Sequence, residues 1–203
     1  PYRYDRAQPT TWLWMSEGVT DYYADLALVR SGFTDEATFL STMLGKIDGV
    51  DQRPATALED ASLQAWLSMS DGTADLYYDK GSLAGLALDI TIRDASDNVR
   101  SLDDVMRELW EVSWKQGRGF TYDEFWNAAT RAAAGRALRD FERRYIDGRE
   151  PYPWDQWLPR AGWRDGLAEM IKTAVIGDPG LFVELELSGD ELRRMFGPES
   201  GPD

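Results

Sequence analysis

Asp79-Lys80-Gly81-Ser82-Leu83-Ala84-Gly85-Leu86-Ala87-Leu88-Asp89-Ile90-Thr91-Ile92-Arg93-Asp94 is the stretch that decides the fold. Leu83, Leu86, Ala87 and Ile90 recur at helical spacing, and Ala84, Leu88 and Ile92 widen the stripe until little of the circumference is polar. A helix apolar on most sides has to be surrounded, so this one is expected at the centre of a helical domain. On its C-terminal side, Leu102, Val105, Met106, Leu109 and Trp110 repeat the amphipathic pattern, as do Tyr122, Phe125, Trp126 and Ala129. Hydroxyl residues with an acid three positions later mark three helix starts: Thr56 with Glu59, Ser101 with Asp104, and Thr121 with Glu124.

Upstream, a first helix is expected from Leu13 to Arg30, stopped by Gly32, and a second after Thr34. Downstream, another covers Ala137 to Ile146 and ends near Gly148, while the proline-rich run Pro151 to Pro159 is expected to be irregular but packed. Val183, Leu185 and Leu187 alternate with Glu184 and Glu186, a strand signal. The fold class is therefore mainly α, a multi-helix lobe of six to eight helices with a short β-containing C-terminal appendage. The expected division is 1–162 for the lobe and 163–203 for an extension or the start of a further domain.

Composition excludes several functions. The chain has 203 residues and 43% hydrophobic residues, with nine Trp, nine Tyr and seven Phe, ample for a packed core. Its net charge of −14 argues against nucleic acid, which needs a basic surface. No apolar run reaches the roughly 20 residues of a membrane span, so a soluble protein is expected, with the bacterial cytoplasm and periplasm both open. The opening Pro1-Tyr2-Arg3-Tyr4-Asp5 has neither an initiator Met nor a signal-peptide pattern and reads as the middle of a longer chain. Zero Cys removes disulfides and thiolate chemistry; zero His removes imidazole acid–base catalysis, Ser-His-Asp triads and imidazole metal ligation within this chain.

Two segments carry candidate chemistry. In Trp12-Leu13-Trp14-Met15-Ser16-Glu17-Gly18-Val19-Thr20-Asp21-Tyr22-Tyr23, Glu17 and Asp21 stand one helical turn apart. Two acids on one face repel unless a cation or donor is near, and by spacing alone such a pair is most often a solvated stripe. In Leu76-Tyr77-Tyr78-Asp79-Lys80-Gly81, a tyrosine at a helix entrance either staples the helix start or aims its hydroxyl at a developing oxyanion.

Together, Trp-x-x-Glu-Gly-x-Thr-x-Tyr and, about 60 residues later, Tyr-x-Lys-Gly resemble the gluzincin metallopeptidases, and among them the glycyl aminopeptidase family. Pro1 to Asp5, Tyr77 to Leu83, Ser101 to Trp110 and Gly119 to Thr121 extend the likeness in the same order, over roughly Pro1 to Gly162. The resemblance implies the helical lobe of a peptidase catalytic domain. It implies that Glu17 is the third zinc ligand, that Asp21 orients a ligand histidine, and that Tyr78 stabilises the tetrahedral oxyanion. It implies peptide substrates with small N-terminal residues such as Gly or Ala.

The departure from the family is equally specific. The other two ligands and the general base of the family lie in an upstream His-Glu-x-x-His, and this chain has no His. The expectation is a zinc enzyme in the intact parent, with this piece inactive and holding no zinc alone. Two further expectations stand beside it: a non-catalytic helical peptide-binding or interaction module, and self-association through apolar surface left open near Trp12 and Trp14.

Overall fold

Leu76–Ala95 forms the 20-residue helix that the apolar stripe predicts, and Leu83, Ala84, Leu86, Ala87, Leu88, Ile90 and Ile92 are all buried. A computed structural model of the chain describes residues 5–67, 73 and 75–161. The helices are α1 (Thr20–Arg30), α2 (Glu36–Asp51), α3 (Leu58–Leu67), α4 (Leu76–Ala95), α5 (Leu102–Val112), α6 (Tyr122–Ala132), the short α7 (Arg139–Phe141) and α8 (Trp154–Arg160). α4 is the hub, packed against α1, α2, α3, α5 and α8 and, most extensively, against a π-helical turn at Trp14–Val19. The described residues contain no strand. The strand signal at Val183 to Leu187 and the whole of 163–203 lie outside the described residues.

That π-helical turn is the first departure from expectation, because the predicted Leu13–Arg30 helix starts as π and only becomes α at Thr20. A π turn leaves a carbonyl without its usual amide, and the Thr20 hydroxyl donates to the carbonyls of Ser16 (2.7 Å) and Glu17 (2.8 Å) at the junction. The Trp14 amide donates to the Ser62 hydroxyl of α3 at 3.0 Å. The helix then stops where Gly32 predicts. Gly32 has φ +73°, and amides of Gly32 and Phe33 reach back to the carbonyls of Val29 (3.1 Å) and Leu28 (2.9 Å), a Schellman closure.

Two glycines bring the π turn onto α4. A Cβ on Gly18 would stand 2.5 Å from the Gly81 Cα and 2.5 Å from the Tyr77 carbonyl oxygen; one on Gly81 would stand 2.7 Å from the Trp14 carbonyl oxygen. The two backbones touch, which only the absence of both side chains permits. One turn further along, Gly85 lies under the ring of Tyr22.

Polar groups fix the next layer. Asp89 of α4 is buried and accepts from the Tyr22 hydroxyl (3.0 Å), the Leu102 amide (2.7 Å) and Arg93 Nε (3.2 Å). Burial pushes its carboxyl above the ordinary value, against the opposing Arg93 charge and Leu102 amide. Asp103 of α5 takes the Tyr23 hydroxyl (3.0 Å) and a buried ion pair with Arg30 (2.9 Å). Helices α1, α4 and α5 are thereby locked in register by groups whose loss would strand a buried charge.

The capping boxes of Ser101 with Asp104 and of Thr121 with Glu124 both form. The Thr56 box does not: α3 starts at Leu58, one residue too late, and the Thr56 hydroxyl donates to the Pro54 carbonyl at 2.9 Å. Pro151 to Pro159 is also more regular than expected. Helix α8 begins right after Pro153, whose missing amide costs nothing at a helix start, and Trp157 packs on Phe141 and Tyr145. The Ala137 to Ile146 helix is observed as α7 followed by a π turn at Glu142–Ile146. Trp14 is fully buried, while Trp12 is half-buried and packs on Tyr122, Phe125 and Phe120.

The second π turn carries a buried acid with a measurable consequence. Burial, reinforced by Asp147 and Glu59, pushes the Glu142 carboxyl up to about 7, although Arg139 lies 3.2 Å away. The folded state thus binds this proton more tightly than the unfolded chain, so Glu142 weakens stability as pH rises from about 4.5 to about 7. With one pKa unit worth about 1.4 kcal/mol, and part of that gain offset by the lost Arg139 ion pair, Glu142→Gln is expected to gain about 2 kcal/mol at pH 8 and nothing at pH 4. Thermal unfolding of both proteins across that range checks it.

Candidate functional site

Glu17 projects from the π turn and Tyr78 from the first turn of α4, 61 positions apart in the chain. The Tyr78 hydroxyl donates to Glu17 Oε2 at 2.8 Å. Their proximity is a product of the glycine contact, because Gly18 follows Glu17 and Gly81 lies one turn after Tyr78. Glu17 is half-buried, while Tyr78 is 40% exposed and stacks loosely on Tyr77, ring centres 4.7 Å apart. Both groups therefore sit at an accessible rim, with the buried core directly behind them.

The electrostatics keep the phenol protonated. The hydrogen bond to Glu17 pushes the Tyr78 hydroxyl up to about 12, with burial and the Glu17 charge adding to it. Burial first, then Glu17, raises Tyr77 as well. Tyr78 is consequently a donor throughout the neutral range.

Asp21, one turn beyond Glu17, faces a different partner. The Lys46 ammonium from α2 bonds to Asp21 Oδ2, to Asp25 Oδ2 at 2.6 Å and to the Ser82 hydroxyl of α4 at 3.0 Å. Burial alone would lower the Lys46 pKa, but the bonds and charges of Asp21 and Asp25 outweigh it and leave it raised. The acid pair read from the sequence is thus resolved into two environments, a phenol for Glu17 and an ammonium for Asp21. Sequence reasoning missed Lys46, Ser82 and Asp25. The i, i+4, i+8 spacing of Glu17, Asp21 and Asp25 is the signal that a cation was needed on that face.

Among the described residues, no group of three or more His, Cys, Asp or Glu side chains is placed to hold a metal ion. Glu17 offers a half-buried carboxyl group, reachable from solvent and bonded to the Tyr78 phenol. Residues 1–84 match the M61 glycyl aminopeptidase family model. The matched span takes in both Glu17 and Tyr78, and it bears out the resemblance read from the sequence.

The chain is also similar to the crystal structure of an aminopeptidase N family protein from Idiomarina loihiensis, at 29% identity and a TM-score of 0.68. The alignment covers 80% of this chain and 29% of that one, so this chain spans under a third of that protein's length. The helical architecture around α4 is thus similar to part of that aminopeptidase N family protein. No curated protein matches the chain. No helix among the described residues is long and apolar enough to cross a membrane.

Proposed function

We propose that this chain contributes one wall of a zinc aminopeptidase active site, whose histidine ligands are supplied by other sequence. The observation that carries the proposal is the 2.8 Å hydrogen bond joining Tyr78 to Glu17 across two helices that touch backbone to backbone. Glu17 would hold the zinc as its third protein ligand. When bound, the metal supplies Lewis-acid polarisation of the scissile carbonyl and an activated water.

The chain's own residues do the rest by position. Tyr78, kept protonated by its neighbour, exchanges its bond to Glu17 for one to the peptide carbonyl oxygen as negative charge develops there. Asp21 orients a ligand histidine through the imidazole nitrogen that faces away from the metal, while Lys46 fixes the Asp21 carboxylate in place. Peptides with small N-terminal residues, Gly or Ala, are the proposed substrates; the glycyl aminopeptidase family match over residues 1–84 supports glycine.

The test uses this chain alone and joined to a histidine-bearing upstream segment. The joined protein is expected to release glycine from short peptides in a zinc-dependent manner. The chain alone is expected to lose zinc on dialysis and to cleave nothing, because one carboxylate does not offset stripping water from the ion. Stoichiometric zinc with peptidase activity in the isolated chain would contradict the assignment. Peptide binding without turnover by the joined protein would instead favour a non-catalytic interaction module.

A further inference from the structure

On another side of α4 from Tyr78, a cavity of about 210 Å³ lies between the C-terminal end of α2, the start of α4 and the segment leading into α8. Its walls are mixed: Leu76, Pro54, Pro151, Tyr152 and Trp154 give a flat apolar lining, and Lys80 gives a cation. Lys80 is only 6% exposed. Its ammonium donates to the Thr56 carbonyl and lies 5.6 Å from the centre of the Tyr152 ring. Among the described residues no carboxylate pairs with it, although the chain carries a net charge of −14.

The other charges facing the cavity already have partners or stand at its rim. Arg53 pairs with Asp75, Arg149 with Asp60 at 2.8 Å, and Glu150 with Arg144 at 2.7 Å, while Asp51 is exposed at the end of α2. Lys80 is therefore the buried charge that these pairs leave uncompensated. A buried ammonium with three donors and one carbonyl partner is costly, and it is stabilised by an anion seated beside it.

We propose that this cavity binds a small carboxylate with a flat apolar body, its anionic end on Lys80 and its body against Trp154 and Tyr152. The site does not depend on the peptidase reading. The volume admits only a small group, and a carboxylate at the end of an apolar chain could come from a free small molecule or from a peptide C-terminus. Burial, with Arg149 adding to it, pushes the Lys80 ammonium down to about 8. A bound carboxylate reverses that shift, so the complex holds below about pH 8 and weakens as Lys80 loses its proton above it. Tyr152, whose ring forms part of the wall, stays protonated because burial raises it.

The experiment is an NMR titration of the folded chain with labelled lysine side chains, using benzoate, its neutral isostere benzamide, and an acetylated tripeptide ending in a phenylalanine carboxylate. Lys80 is assigned by the signal lost in Lys80→Met. Benzoate is expected to saturate, to shift the Lys80 signal and to raise its titration midpoint, with benzamide at least about tenfold weaker. Arg149→Gln, at a solvent-facing pair that does not hold the fold, is expected to weaken benzoate by about threefold. Binding of benzoate and tripeptide together assigns a general carboxylate site; benzoate alone assigns a free small molecule. Equal binding of benzoate and benzamide, or no saturation below a Kd of roughly 10 mM, overturns the proposal.

Discussion

Tyr78→Phe is expected to lower kcat of the joined, zinc-loaded protein by about 10²–10³-fold while leaving zinc content unchanged. The size follows from what the hydroxyl is asked to do. In the resting lobe it donates to Glu17 at an exposed rim, an interaction worth about 1 kcal/mol or less to the fold. In the reaction it would donate to an oxygen that gains negative charge, where a donor already in place counts for far more than in the resting lobe. The loss should therefore fall on kcat, with KM for a glycyl peptide little changed. Equal losses in stability and activity would instead mean that Tyr78 only staples the start of α4. Atomic absorption and steady-state kinetics on the same preparations separate the two outcomes.

Gly18→Ala is expected to lower stability by about 3 kcal/mol, because the added methyl meets backbone rather than a movable side chain. Its Cβ would stand 2.5 Å from both the Gly81 Cα and the Tyr77 carbonyl oxygen, and neither can retreat without moving α4. For a chain of this size that loss corresponds to a fall in Tm of roughly 6–12 °C. The change also pushes Glu17 away from Tyr78, so it should reduce activity even below the melting range. Gly45→Ala is the control: Gly45 lies inside α2 with open space around it, and alanine there should add about 0.5–1 kcal/mol. A Gly18→Ala protein that melts with the parent would mean the two helices do not touch as described.

Much of the helical frame was legible because it is written locally. The α4 stripe, the Gly32 stop and two of three capping boxes each depend on residues within a turn or two of one another. The π turns were not legible, since apolar spacing over one turn barely distinguishes π from α winding. Thr56 did not cap for two reasons, one local and one tertiary: its hydroxyl donates to the Pro54 carbonyl two positions back, and Lys80 holds its own carbonyl. The candidate site divides the same way. Glu17 and Tyr78 were each readable as motif positions, but their meeting across 61 residues depends on a glycine-to-glycine contact that no periodicity reveals. Lys46, which holds Asp21 and Asp25 together, gave no local sign beyond the unmatched acids one helix away.

Whether Glu17 completes a zinc shell beside Tyr78 is read from diffraction at the zinc absorption edge by crystals of the joined protein. One anomalous peak is expected about 2.0–2.2 Å from a Glu17 carboxylate oxygen, lost in Glu17→Ala. A peak bound by other residues, with Glu17 still bonded to Tyr78 and out of reach of the metal, would contradict it.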